Sequence, residues 1–308
     1  MSAIVAEHVT KRFGGFEAVS DVSFEVPDGQ FLAVLGPNGA GKTTTLEMLE
    51  GFSAPTSGTL QVLSADPHRG SRAWRARIGL VLQSTSLDPG LTVRDTLALF
   101  AGLYPDPRPV SEAIELADLA ADAATKVGVL SGGQRRRVDL AIGIIGRPEV
   151  LFLDEPTTAL DPEARRRTWA AVENLATTGT TIVLTTHYID EADHLAQRIL
   201  VLTDGRIATD TTPAQLRAQA GPATIRYVLE DPGTARALPA RLARHLEPDG
   251  RTLFIRSTDT PGVLRELADF ADRHRLGLAG LEVGPPSLEE AYLAVIDKQT
   301  RSGGAGHD

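Results

Sequence analysis

Nine residues constrain this chain more than any other stretch: Gly36-Pro37-Asn38-Gly39-Ala40-Gly41-Lys42-Thr43-Thr44. They fit G-x-x-x-x-G-K-[ST] in the setting that gives the pattern its meaning, an apolar strand before and a helix after. The run 31–35 is continuously apolar, as on a strand buried on both faces, and 43–50 has a helical pattern. Glycines let backbone N–H groups turn inward to form an anion nest. The start of the helix adds its partial positive charge. Lys42 supplies a compact cation for the β- and γ-phosphates, and Thr43 a hydroxyl for Mg²⁺. The loop therefore predicts a nucleoside-triphosphate site in an α/β fold.

A second element bears on the same chemistry. The run 150–153 is an apolar strand ending in Asp154-Glu155-Pro156. At the end of a strand both carboxylates can reach one cleft, Asp154 to hold Mg²⁺ through water and Glu155 as general base toward the attacking water. Further strand-like runs at 181–184 and 198–202 alternate with helical segments, the order of a mostly parallel sheet. Helical periodicity covers about 92–125, interrupted by Pro105, Pro107 and Pro109, and Ser111 is placed to cap its second helix.

Composition narrows the class. The chain has 308 residues, a formal net charge of −9 and no cysteine. That excludes disulfides, thiolate metal sites and a cysteine nucleophile. The acidic balance argues against a general nucleic-acid surface, so no nucleic-acid partner is expected. The triplets 135–137 and 165–167, all arginine, read as solvated helix faces. No apolar stretch reaches the ~18 residues that span a bilayer, and no signal peptide is visible. Only Lys11, Lys42, Lys126 and Lys298 are lysines among 31 basic residues, so the lysine of the glycine loop is a retained one.

A composition shift follows Gly205. Residues 216–222 read as a linker, and 223–300 as a small α+β unit in β-α-β-β-α-β order: strand 223–230, helix 234–244, a hairpin around Pro248-Asp249-Gly250, helix 261–275, strand 278–284 and helix 287–296. The Gly-rich 301–308 reads as a disordered tail.

Leu130-Ser131-Gly132-Gly133-Gln134 is an unmodified match to the signature of ATP-binding-cassette (ABC) ATPases, and the chain resembles that family over roughly 3–215, which implies an ABC ATPase domain at 1–215. Its physics is that of a second anion site, with Ser131 capping a helix whose first turn carries Gly132 and Gly133. The resemblance implies a P-loop cassette with a mostly parallel core sheet, an N-terminal antiparallel β part and a helical subdomain at about 84–135. It implies roles for Gln83 as the glutamine sensing Mg²⁺ and γ-phosphate, Asp161 in the loop Thr157-Thr158-Ala159-Leu160-Asp161, and His187 as the switch histidine. Phe13 falls where the family stacks an aromatic on adenine, with Phe16 a rival.

The phrases LSGGQRRRVDL, THYIDEA and PSLEEAYL further resemble exporter ATPases of the ABC-2 type, including daunorubicin-resistance ATPases. By that resemblance the chain is an ATPase using ATP and Mg²⁺. It closes head-to-tail on a second copy and drives a separate polytopic permease at the cytoplasmic face of a bacterial membrane. Segment 84–103 is the expected docking surface, and the cargo a drug, antibiotic, lipid or polysaccharide. An importer ATPase, a non-transport ABC ATPase and a catalytically silent subunit are the alternatives. A single phosphate loop, only 89 positions between Lys42 and Ser131, and intact Glu155 and His187 weigh against the last two.

Overall fold

The computed structural model describes residues 1–82, 86–158, 160–229 and 232–303, in two compact units: Met1–Pro213 with the chain's end from Gln299, and Ala214–Lys298. In the first unit, β1 (Ser2–Phe13) and β2 (Phe16–Pro27) form a hairpin with Phe13 opposite Phe16. The turn is Gly14-Gly15, and Gly14 takes φ +60°. β3 (Phe31–Leu35) leads into α1 (Lys42–Leu49) and β4 (Ser57–Val62), which pairs with β1 to complete a three-stranded antiparallel sheet.

α2 (Arg72–Arg75) and β5 (Ile78–Val81) follow, then the helices α3 (Val93–Ala101), α4 (Val110–Leu116) and α5 (Gly132–Ile144). The chain continues through β6 (Val150–Asp154), α6 (Pro162–Ala176), β7 (Thr181–Thr185), α7 (Ile189–Leu195), β8 (Arg198–Thr203) and β9 (Arg206–Thr211). The central sheet runs β5-β6-β7-β3-β8-β9, parallel except for the antiparallel edge strand β9.

Alternation divides the core between the two faces of this sheet. Leu32, Val34, Phe152 and Val183 pack with Ile4, Val19 and Leu46 on one face. Phe31, Leu151, Leu153, Ile182 and Leu184 pack with Leu140, Ile144 and Val172 on the other. A separate apolar cluster of Val93, Leu97, Ile114, Leu119 and Val138 holds the helical part together. Thr92 caps α3 through Asp95 N. Ser111, expected to cap α4, does not: the helix starts two residues earlier than that cap requires, with Pro109 at the cap position and no side-chain cap. Proline fixes φ near the value a helix start needs, so the chain turns before the serine is reached.

The second unit holds α8 (Pro213–Gln219) from its second residue, β10 (Ala223–Val228), α9 (Ala240–Ala243), β11 (Thr252–Ser257), α10 (Thr260–His274), β12 (Leu281–Gly284) and α11 (Leu288–Gly303) as far as Lys298. Its sheet is three-stranded and antiparallel, in order β11-β10-β12, over a core of Ile225, Tyr227, Leu253, Leu267 and Phe270.

Three sequence expectations are corrected here. The hairpin at 248–250 contributes one strand, because its first arm is reduced to a single bridge between Leu246 and Leu253. His245 N and Leu246 N still donate to Leu242 O and Ala243 O, which leaves too few free residues before the Asp249 turn. Helix 234–244 is broken at Leu238-Pro239 into a 3₁₀ segment (Pro232–Ala237) and α9, as an interior proline requires. Lastly, 301–303 belong to α11, while 304–308 lie outside the described residues.

Candidate nucleotide site

The site lies at the carboxyl ends of neighbouring strands β6, β7 and β3, where open α/β sheets place their ligands. β3 delivers the glycine loop. A Cβ at Gly36 would stand 2.4 Å from Leu202 O of β8, so only glycine permits this approach. Gly39 and Gly41 take φ of +82° and +96°. Pro37, Asn38 and Gly39 are exposed at the rim, and Ala40 is buried beneath it. Gly41 occupies the cap position of α1 without a side-chain cap, so the first-turn N–H groups receive no side-chain oxygen.

Lys42 is buried, and its Nζ donates to Gly36 O (2.7 Å) and Pro37 O (3.1 Å), spanning the loop from beneath. Burial pulls its pKa below the ordinary lysine value, and the carboxylates of Glu155 and Asp154 oppose that shift. Thr43 is exposed and Thr44 half-buried on the same turn.

β6 and β7 supply the facing groups. Thr185 Oγ1 donates to Asp154 Oδ1. Glu155 sits at φ +45°, a left-handed conformation that costs a non-glycine residue about 1–3 kcal/mol. Its N–H donates to Thr185 O at 3.0 Å, and its carboxylate accepts from Thr158 Oγ1 at 3.1 Å. His187 Nδ1 lies 3.4 Å from Glu155 Oε1, and its ring stacks on Tyr188 at 4.1 Å. One cleft thus holds a cation under a glycine loop, two carboxylates and an imidazole. A hydroxyl and a carboxylate beside an anion nest are the hard-oxygen donors suited to Mg²⁺ shared with substrate phosphates. No cluster of three or more His, Asp or Glu among the described residues would hold a metal alone.

The signature residues form a separate cradle. Ser131 caps α5 in a capping box, with its Oγ accepting from Gln134 N while Gln134 Oε1 accepts from Ser131 N. Gln134 Nε2 also donates to Asp122. Gly132 is open, whereas a Cβ at Gly133 would meet that of Ala164 at 2.7 Å. Asp161 caps α6, and the N–H groups of Ala164 and Glu163 hold its carboxyl below the usual range. Ser131, Gly133, Gln134 and Asp161 line a cavity of about 370 Å³ that includes neither Lys42 nor Glu155.

Phe13 stands half-exposed at the tip of the β1–β2 hairpin, with Lys11 Nζ 5.0 Å from its ring centre. Gln83 and Ala159 lie outside the described residues.

Three residues of this region escaped the sequence reading. Arg136 and Arg137, taken for a solvated face, are buried. The Arg136 fork donates to Pro156 O (2.8 Å), Asp154 O (2.8 Å) and Leu82 O, clamping the backbone on both sides of Glu155 to α5. Position was the available signal: Gly133, Arg136, Arg137, Leu140 and Ile144 fall on one buried helical stripe. Arg165 is also partly covered, over the Tyr188 ring at 4.2 Å, whereas Arg166 and Arg167 are exposed. The third is Glu191, wholly buried, which accepts from Thr157 Oγ1 (2.9 Å) and Trp169 Nε1 (3.1 Å). Burial raises its pKa, opposed by Thr186, Thr157 and Trp169. It ties the segment after Glu155 to the helix after His187.

Together the parallel sheet, the glycine loop and the carboxylates at the next strand ends define a P-loop nucleoside triphosphatase. The profile of the family described as ABC transporter matches residues 19–158. The Nod factor export ATP-binding protein I of Burkholderia lata is 38% identical over 298 residues, covering 95% of this chain and 96% of the relative. Its counterpart in Paraburkholderia xenovorans is 37% identical over 307 residues, covering 97% and 98%. A solved dimeric ATP-binding cassette in a post-hydrolysis state, bound to ADP and Pi, superposes with a TM-score of 0.60 at 27% identity, over 68% of this chain and 98% of that one. The chain belongs to the ATP-binding proteins of ABC transporters, and it binds and hydrolyses ATP as their energising subunit. No helix among the described residues is long and apolar enough to cross a membrane.

Proposed function

We propose that this chain powers export through a separate polytopic permease, working as a peripheral subunit on the cytoplasmic face of a bacterial membrane. One observation carries the reading: relatives named for export match it nearly end to end, at 95–97% of its length, second unit included. Exposed Phe52, Leu99 and Leu103 support a docking face. Leu103 borders a cavity of about 580 Å³ with Arg72, Ala73 and Tyr104.

In this reading the N–H groups of 36–44 and Lys42 receive the ATP phosphates, and Phe13 stacks on the base. Thr43, Asp154 and Gln83 hold Mg²⁺, which when bound offsets charge on the phosphates. Glu155 accepts a proton from the attacking water, and His187 orients it. The separation of the Lys42 cleft from the Ser131 cavity supports a head-to-tail dimer. Each ATP is then closed over by Ser131, Gly132, Gly133 and Gln134 of the second copy, with Asp161 beside them. Catalysis rests on positioning and electrostatic stabilisation, and closure drives the permease.

The test is co-reconstitution with the polytopic product of the neighbouring gene. ATP-dependent uptake into inverted vesicles is expected. Transport that instead requires an extracytoplasmic solute-binding protein would overturn export in favour of import.

A further inference from the structure

Glu50, directly after α1, takes no part in the cleft chemistry, yet it is only 7% exposed. It lines a cavity of about 280 Å³ whose apolar walls include Phe52, Trp74, Leu80, Phe100, Leu103 and Tyr104. Among the described residues its carboxyl makes no side-chain hydrogen bond and no ion pair. Arg75 borders the same cavity but is exposed and forms no ion pair with Glu50. The other charges acting on Glu50 are negative, Asp154 and Glu47. A carboxylate buried this far is ordinarily paired or bonded to donors. Here it stands beside the exposed apolar residues of the docking face.

We propose that Glu50 anchors a basic side chain, lysine or arginine, presented by an amphipathic cytoplasmic helix of the membrane subunit. The inference rests on the export reading above, which assigns that subunit to this face. The helix lays its apolar side over Phe52 and Leu103, and the stem of its basic residue runs along Phe100 and Tyr104 with the charge on Glu50. Such an anchor gives specificity, because a neutral or acidic residue at that position leaves the carboxyl buried without a partner. Burial, Asp154 and Glu47 together push the Glu50 pKa up to about 8, so near pH 7 the free chain keeps its proton. Docking of the cation ionises the carboxyl, and the proton passes to the buffer.

The experiment measures association of the purified full chain with the polytopic product of the neighbouring gene in nanodiscs. Proton release is read by calorimetry in buffers of different ionisation enthalpy. Glu50→Gln is expected to weaken association at least tenfold and to abolish proton release. Basal ATPase of the free chain should stay within twofold and its thermal stability should not fall, which separates lost docking from misfolding. Glu50→Lys should associate less still. Leu103→Asp tests the docking face itself. If Leu103→Asp weakens association while Glu50→Gln does not, the anchor is overturned and the docking face stands. If neither weakens it, the docking face falls as well. Loss of proton release in Arg75→Ala, with wild-type association in Glu50→Gln, would overturn the proposal by making Arg75 the partner.

Discussion

Replacing Arg136 by methionine keeps the length of the side chain and removes its donors. The carbonyls of Asp154, Pro156 and Leu82 then lose their guanidinium. A hydrogen bond to a charged donor contributes about 1.5–3 kcal/mol, and a buried acceptor left unsatisfied costs about 1–3 kcal/mol. Against this, burial already lowers the Arg136 pKa, with Asp139, Asp154 and Glu191 compensating, so removing the cation relieves some desolvation. The net expectation is a loss of about 3–5 kcal/mol, the range for breaking one side of a buried charged network. Both tryptophans, Trp74 and Trp169, lie in the first unit, so urea unfolding followed by their fluorescence reports that unit alone. The clamp also flanks Glu155, whose left-handed backbone depends on its surroundings. kcat should therefore fall at least tenfold with little change in ATP affinity, and Arg136→Lys should be intermediate. A shift below about 1 kcal/mol together with wild-type kcat would refute the clamp.

Lys42→Ala removes the cation beneath the loop and should weaken binding of a fluorescent ATP analogue by at least tenfold; unchanged affinity would contradict the phosphate-loop assignment. Glu50→Gln should alter how stability depends on pH. The Glu50 pKa moves from 4.5 unfolded to about 8 folded, so between those values the folded chain holds a proton the unfolded chain has lost. Wild-type stability therefore falls as pH rises from ~4.5 to ~8, by roughly 4 kcal/mol at most, and the glutamine variant escapes this loss. Urea midpoints from pH 5 to 8.5 check it, and parallel profiles would refute it.

The glycine loop was legible because its information is local: strand, loop and helix follow one another, and the backbone at Gly39 and Gly41 needs glycine. The acidic end of β6 and the histidine after β7 were legible for the same reason. Their convergence was not, since it depends on the strand order β6-β7-β3, and strand order is settled by packing between distant segments. Arg136 was misread because a run of three arginines resembles a solvated face, although its place on the stripe with Gly133 and Leu140 marks it as inward. In the second unit Pro239 breaks a helix that periodicity alone had extended. Glu50 carries no motif: only the surrounding Phe52, Trp74 and Tyr104, brought in from separate segments, make it unusual.

The account centres on Glu155 as the base in a site that a second copy completes. Glu155→Gln keeps the side-chain volume and removes the proton acceptor. The deciding measurement is light scattering of this variant with ATP, alongside its steady-state hydrolysis and ATP affinity. The account predicts ATP affinity near wild type, hydrolysis reduced at least a hundredfold, and twice the monomer mass only when ATP is present. Hydrolysis close to wild type, or a monomer that binds ATP without associating, would contradict it.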